Sequence, residues 1–414
     1  MIPATITWQF KRHFRTGALG WKGSALACKW IGEAVSEIKK VAKIDLVDAA
    51  DGVVAFCERL WPALQHVDSS SGALGSAANR ALDVLLPILI SAPATAKIRA
   101  KWLERLDDAI CEDGVDFLYQ VRQEWGKVCS EPTFMNAWAD RLLPMVRQMW
   151  AETESFSYSP QTVMCLSCLL EAGRYDELQA LLATAPHRSW HEQSYWAEAL
   201  RRRDEIEAAI TFAEGCRTPQ GYDDAAISAY CEQLLLDAGR WEDAYTRYGR
   251  SRREGHTYIN QYRALVKKYP MLDTRRILQD LIEDSANPGD WFAAARTAGY
   301  LDIALSCAQN GHVNPGTLAT AANDTVVSEP DFSFAIALRA LHLFLDGYGF
   351  EHRRVEMLKA ADALVGAAQA LGNPPLCLEQ VQSLVARVMG SRDSFAELLR
   401  SHLGRNWPGL QWDR

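Results

Sequence analysis

The side chains best spaced for chemistry are Cys165, Cys168, His187 and His191. Cys-x2-Cys followed by His-x3-His offers, at each end, the bite of a tetrahedral zinc ion. Two features weigh against a metal. The eighteen residues between the pairs exceed the usual finger and already read as a helical joint. Cysteines three apart also share one face of a helix, where small core residues belong. Core packing is therefore expected there, with no metal and no other cofactor. HEQSY at 191–195 opens like the helix of a zinc protease, but Tyr195 stands where the second histidine must. TGALGWKGS at 16–24 is glycine-rich, with Lys22 and Ser24, yet its order is not that of G-x-x-x-x-G-K-S and no strand precedes it. A turn between basic helices is expected instead. The sequence has no G-x-S-x-G elbow and no evident cysteine, histidine and acid trio. No catalytic residue is assigned, and the chain reads as non-enzymatic.

The elements that position these residues are helices. Hardly any segment alternates apolar and polar residues, whereas Ile98, Trp102, Leu106 and Ile110, or Leu338, Leu341 and Leu345, recur at three and four. An all-α fold follows. LLEAGRYDELQALL (169–182), LLLDAGRWEDAYTRY (234–248) and ARTAGYLDIALSCA (295–308) share an apolar helix end, Ala-Gly, a short link, an acid and a new helix. Gly173, Gly239 and Gly299 suit the left-handed end of a helix, and Asp176, Asp243 and Asp302 suit the first turn of the next. ALRRRDEIEAAI (199–210) has the look of the same joint without its glycine, and YPMLDTRRIL (269–278) of another. A joint about every 30 to 36 residues is the period of tetratricopeptide-like hairpins, so an α-solenoid with a helical N-terminal region is expected.

At roughly 100 to 200 residues per domain, 414 residues make two or three domains or one repeat array. With 48% apolar and 23% charged residues the composition is globular, and a net charge of -8 excludes a whole surface built to coat nucleic acid or anionic lipid. Ten scattered cysteines, mostly within apolar runs, read as buried free thiols of a reducing compartment. The first residues lack the basic-then-apolar order of a secretory leader. VLLPILI at 84–90 is too short to cross a bilayer and reads as a buried helix broken near Pro87. A soluble cytoplasmic protein with no membrane association is expected.

Residues 287–351 carry a W-F-x-x-A joint, an N-P-x-T-L-x-x-A-A turn and an A-L-x-A-L-H-x-x-x-x-G-Y-G run. In these the chain resembles, over about residues 160–390, a little-characterised bacterial helical-repeat family associated with SWIM-type zinc-finger proteins and their stand-alone relatives. The C-x-C and C-x-H pairs of a SWIM finger are missing here. The resemblance implies structural joints and a scaffold in a multi-component bacterial system.

Charge is unevenly spread. Residues 1–43 hold eight Lys or Arg against Glu33 and Glu37, with Trp8, Phe10, Phe14, Trp21 and Trp30 among them. Docking of this segment on its own body or on a partner is expected before any membrane contact. Residues 240–276 hold ten Lys or Arg against four acids, interleaved with six aromatics. Rings and cations together suit a protein surface, where Arg and Tyr are common anchors, or single-stranded nucleic acid; a solvated face with packed tyrosines is the alternative. The partner-binding candidates are Arg240, Tyr245, Arg247, Tyr248, Arg250, Arg252, Arg253, Tyr258, Tyr262, Lys267 and Lys268. The organisation expected is a basic helical segment at 1–67, a helical region at 77–153, a solenoid at 160–390 and a tail at 391–414 whose Trp407 and Trp412 pack on the body or a partner. The function expected is a scaffold or adaptor for a protein partner; the alternative is a nucleic-acid-binding component of a bacterial defence or mobile-element system.

Overall fold

A computed structural model describes residues 6–152, 159–251, 255–349, 353–372, 375–391 and 393–407. Among them there are twenty-two α-helices, a few tighter or wider turns of helix and no strand. The all-α expectation holds. The chain divides into two compact units, Met1–Leu234 and Leu235–Arg414.

In the first unit, helices Ser24–Ala42, Leu46–Leu64 and Ala73–Ser91 pack on one another around Ile31, Ile38, Phe56, Leu60 and Leu82. Trp8, Phe10 and Phe14 dock on this trio, whereas Trp21 is exposed. Phe10 and Phe14 set their edges against Phe56, and Trp8 lies over Gly52, where a Cβ would overlap its ring. Glycine weakens a helix interior by roughly 0.5 to 1 kcal/mol, and at Gly52 it makes room for an indole that is 4% exposed. Both carboxylate oxygens of Glu37 accept from the strap, one from the Gln9 amide at 2.6 Å and one from the Phe10 amide at 2.9 Å. Glu37→Ala removes both acceptors and is expected to cost about 1 to 2 kcal/mol. The loss shows as trypsin cleavage after Lys11 and Arg12 at denaturant concentrations that leave the rest folded; unchanged cleavage contradicts it.

Ala73–Ser91 runs unbroken through Pro87, contrary to the break expected there. Proline removes one hydrogen bond, but Pro87 sits on the solvent side, where water reaches the freed carbonyl, while Leu82, Leu85 and Leu89 bury the other side. By length and composition this helix is apolar enough to cross a membrane. In the unit its inner face belongs to the core.

Further along, Pro160–Glu171 packs against Pro132–Glu152, Trp125–Cys129 and Trp190–Arg202. Its ends repeat a theme. Gly173 has φ 71°, its N–H donates to the Leu170 carbonyl, and the Arg174 N–H donates to the Leu169 carbonyl. The same pair of bonds closes the helix at Asp204 (φ 63°) and, in the second unit, at Gly239, Gly299 and Gly347 (φ 72°, 87° and 93°). The joint without its glycine thus uses an aspartate in the left-handed conformation, which short polar side chains tolerate. Residues 269–278 differ: no positive φ occurs, and Asp273 caps Thr274–Glu283 by accepting from the Arg275 and Arg276 amides.

In the second unit, Pro315–Thr325, Pro330–Leu345 and Arg353–Ala370 pack as a mutual trio through Ala319, Ala322, Ala337 and Ala361. Two Asn-Pro pairs start helices. Asn287 and Asn314 accept amide bonds at the N-cap while Pro288 and Pro315 take the first helical position. Trp407 is buried at 4% exposure, and Trp412 lies outside the described residues.

Polar contacts between helices recur at similar sequence separations. They are 34, 34 and 31 residues for Arg141 with Asp107, Arg174 with Asp140 and Arg202 with Glu171. In the second unit they are 34, 34 and 32 for Arg250 with Asp284, Arg276 with Glu242 and Tyr258 with Asp290.

Candidate functional site

The basic, tyrosine-rich stretch begins at Arg240, whose guanidinium bonds Asp243 in the first turn of Trp241–Ala244. That helix widens at once into a π-helical turn, Tyr245–Gly249, closed by the Arg250 N–H on the Tyr245 carbonyl at 2.9 Å. Wide turns of this kind cluster at functional sites because they re-aim the side chains that follow. Tyr245 points inward, 1% exposed, its hydroxyl donating to Asp280 at 2.9 Å and its ring edge-on to Tyr269. Gly249 leaves space for the Tyr269 hydroxyl end, which any Cβ there would strike.

Arg250 leaves the turn into a nest of carboxylates. It bonds Asp280 at 3.2 Å, Glu283 at 3.3 Å and both oxygens of Asp284. These bonds hold its guanidinium more firmly protonated than usual, Asp284 foremost. Arg276 forks onto Glu242 and Arg275 onto Asp302. Several cations of the stretch are thus matched by acids that lie mostly beyond residue 276.

Beside Arg250 opens a cleft of about 580 Å³. It is lined by Thr246, Arg247, Ser251, Tyr258, Gln261, Leu281, Asp284, Asp290 and Trp291. Helix Tyr258–Lys268 and the 3-10 turn Pro288–Trp291 bring the key pair together. Tyr258, 41% exposed, donates its hydroxyl to Asp290 at 2.9 Å and sets its ring edge-on to Trp291 at 4.9 Å. Trp291 is 2% exposed, and its indole N–H has no acceptor among the described residues.

The fate of the sequence candidates is mixed. Tyr258, Arg247 and Arg250 line the cleft, Arg247 being exposed with its guanidinium over the Tyr248 ring at 5.2 Å. Tyr245, Tyr248 and Tyr262 are buried at 1%, 4% and 7% exposure, so they are packing residues and not surface anchors. Their three- and four-residue spacing carries them to the inner face of their helices. Arg240 turns back to its own helix, Lys267 is exposed and Lys268 half-buried, and none of the three lines the cleft. Arg252 and Arg253 lie outside the described residues. Trp291, Asp284, Asp290 and Gln261 are the residues that sequence reasoning missed; the signal was the run of acids from 280 to 290, just past the counted window.

The Cys and His quartet is not gathered. Among the described residues no group of three or more His, Cys, Asp and Glu side chains stands as a metal would need. Cys165 and Cys168 are fully buried on Pro160–Glu171, and burial pushes the Cys165 thiol up to about 12. His191 instead meets the Tyr119 hydroxyl, and Tyr195 donates to the Gln123 carbonyl at 3.2 Å. Burial, and then the nearby Arg122 charge, holds the His191 imidazole below its ordinary 6.5. The unfolded chain therefore takes the proton first, and stability falls as pH drops below about 6.5. Between about pH 7.5 and pH 5 the wild type should lose more in Tm than His191→Gln; equal losses contradict the assignment. At 16–24, Gly17 takes a positive φ of 75° and Trp21–Gly23 forms a 3-10 turn into Ser24–Ala42.

Compared with known proteins, the sequence matches no family model and no curated relative.

Proposed function

We propose that the protein is a non-enzymatic adaptor, a tetratricopeptide-like array of helical hairpins that holds a partner protein in the cleft beside Tyr258 and Trp291. One observation carries the reading: an aromatic pair lies at a cleft whose Arg250 is already matched by three carboxylates. A surface for a polyanion keeps its cations for phosphates. Here Arg250 is committed to Asp280, Glu283 and Asp284, and a nucleic-acid strand would have to break those bonds and meet Asp290 as well. Mixed charge around the exposed Tyr258 suits a protein segment.

The repeat reading draws on two regularities. Helix ends at Gly173, Asp204 and Gly239 follow one another at 31 and 35 residues with the same pair of backbone bonds. Contacts between hairpins recur at 31 to 34 residues, as they do when each unit touches only its neighbour. Ten free cysteines, most of them buried, support work in a reducing, cytoplasmic setting. The resemblance at residues 287–351 supports service in a bacterial multi-component system.

The test is purification of the tagged full chain from its native host, with and without nuclease, beside a Tyr258→Ala variant of equal Tm. A stoichiometric protein that survives nuclease and is lost from the variant is the expected result. Co-purifying nucleic acid, with proteins lost on digestion, would replace this reading with the nucleic-acid one.

A further inference from the structure

We propose that the helix Ser24–Ala42 carries a surface for an anionic lipid bilayer, one that shares no residue with the cleft beside Tyr258. Leu26, Lys29, Glu33, Ser36, Lys40 and Lys43 recur at three and four, so they share one face of the helix, and all six are exposed. Ala27, Ile31, Ala34 and Ile38 bury the opposite face. Lys39, and Lys22 in the preceding 3-10 turn, are exposed as well. Among the described residues Lys22, Lys39, Lys40 and Lys43 form no ion pair, and Lys29 meets Glu33 at 3.7 Å. From Lys22 to Lys43 five lysines stand against two glutamates. The second of these, Glu37, is taken by the Gln9 and Phe10 amides, and Asp45 beyond it by the Val47 and Asp48 amides. Arg12 and Arg15 are exposed on the strap, which runs alongside this helix at Glu37 and Trp30.

Large apolar side chains stand exposed at both ends of the same stretch. Trp21 at 67% and Leu26 at 43% lie near its start, and Ile44 at 89% follows its last lysine. A bilayer interface offers what each kind needs: anionic headgroups for the ammonium groups, and the headgroup–acyl boundary for an indole and aliphatic chains. Other occupants fit less well. Lysine is depleted at protein–protein interfaces, where arginine and tyrosine serve as anchors. A phosphate backbone matches the lysines and leaves Leu26 and Ile44 without a role. The helix is 19 residues long, a straight stripe of about 28 Å that a plane meets over its whole length. The net charge of -8 does not cancel so local a stripe, because salt screens exposed charges beyond about 8 to 10 Å.

The experiment sediments the full-length protein with vesicles of phosphatidylcholine alone and with about one third phosphatidylserine added. It compares wild type, the double variant Lys40→Gln, Lys43→Gln, and Ile44→Ser, with a labelled DNA duplex as a second probe. All three positions are exposed, so the variants keep the wild-type Tm and their losses report the surface. The expected result is binding to anionic vesicles about tenfold or more above neutral ones, falling as salt rises. The double lysine variant weakens it about tenfold or more, and Ile44→Ser about threefold. A duplex bound more tightly than anionic vesicles, with Ile44→Ser indifferent, overturns the proposal in favour of a phosphate-backbone surface. No preference for anionic vesicles, or a preference that the double variant retains, overturns it outright. Neither failure touches the cleft, whose own test is a protein partner lost from Tyr258→Ala.

Discussion

Gly289→Ala is expected to lose about 3 kcal/mol of stability, at the upper end of what overpacking costs, and to abolish binding in the cleft. A Cβ at Gly289 lands on the His312 carbonyl, and one at Gly311 lands on the Gly289 amide. Both collisions are with backbone, so no rotamer change relieves them. The crowding exists because the side chain of Asn287 clamps the two loops together. Its Oδ1 accepts from the Gly289 amide at 3.1 Å and the His312 amide at 2.9 Å, and its Nδ2 donates to the His312 carbonyl at 3.0 Å and to Asp290 at 2.8 Å. Asp290 and Trp291 follow directly, which makes the clamp the foundation of the cleft rim. Asn287→Ala removes four bonds and should cost about 2 to 4 kcal/mol at roughly 1 kcal/mol each. Denaturant melts of both variants check the order; a Gly289→Ala protein as stable as wild type would refute the clamp.

Arg99→Ala carries the other large expected effect, about 3 to 5 kcal/mol, the range for stripping the partner from buried polar groups. Arg99 is 2% exposed, and among the described residues its hydrogen-bond partners are backbone carbonyls. Its guanidinium donates to the Leu89 and Ala92 carbonyls at 2.8 Å and to the Val128 carbonyl at 3.2 Å. Leu89 and Ala92 end the helix Ala73–Ser91, and Val128 belongs to Trp125–Cys129. One cation thereby caps two helix ends, where carbonyls lack internal partners and the dipole is negative. Arg99→Lys should recover only part of the loss, because an ammonium cannot span three carbonyls as a planar fork does. Thermal melts of the two variants decide it: equal and small losses would mean that the fork does not hold these ends.

Local features of this fold were legible in the sequence and long-range ones were not. Gly173, Gly239 and Gly299 announced left-handed helix ends, and Asn287-Pro288 and Asn314-Pro315 sit at helix starts, because each requirement is settled within a few residues. Pro87 misled for the opposite reason: whether a proline breaks a helix depends on what its two faces meet, and only the packing of Leu82, Leu85 and Leu89 decides that. The same limit governed the site. The count of cations from 240 to 276 was correct as a count, yet Asp280, Glu283, Asp284 and Asp302 answer them from beyond that window. Spacing placed Tyr245 and Tyr248 on one helical face but not which way that face turned, and it turned inward. Tyr258 was found and its companion Trp291 was not, since the two are joined only by folding.

The central claim is that a partner protein seats in the cleft beside Tyr258 and Trp291. Hydrogen–deuterium exchange of the full chain, alone and with its captured partner, tests this most directly. Slowed exchange at 246–251, 258–261 and 281–291, the segments that line the cleft, is the predicted result. Protection confined to other segments, or none at all with the partner bound, would contradict it.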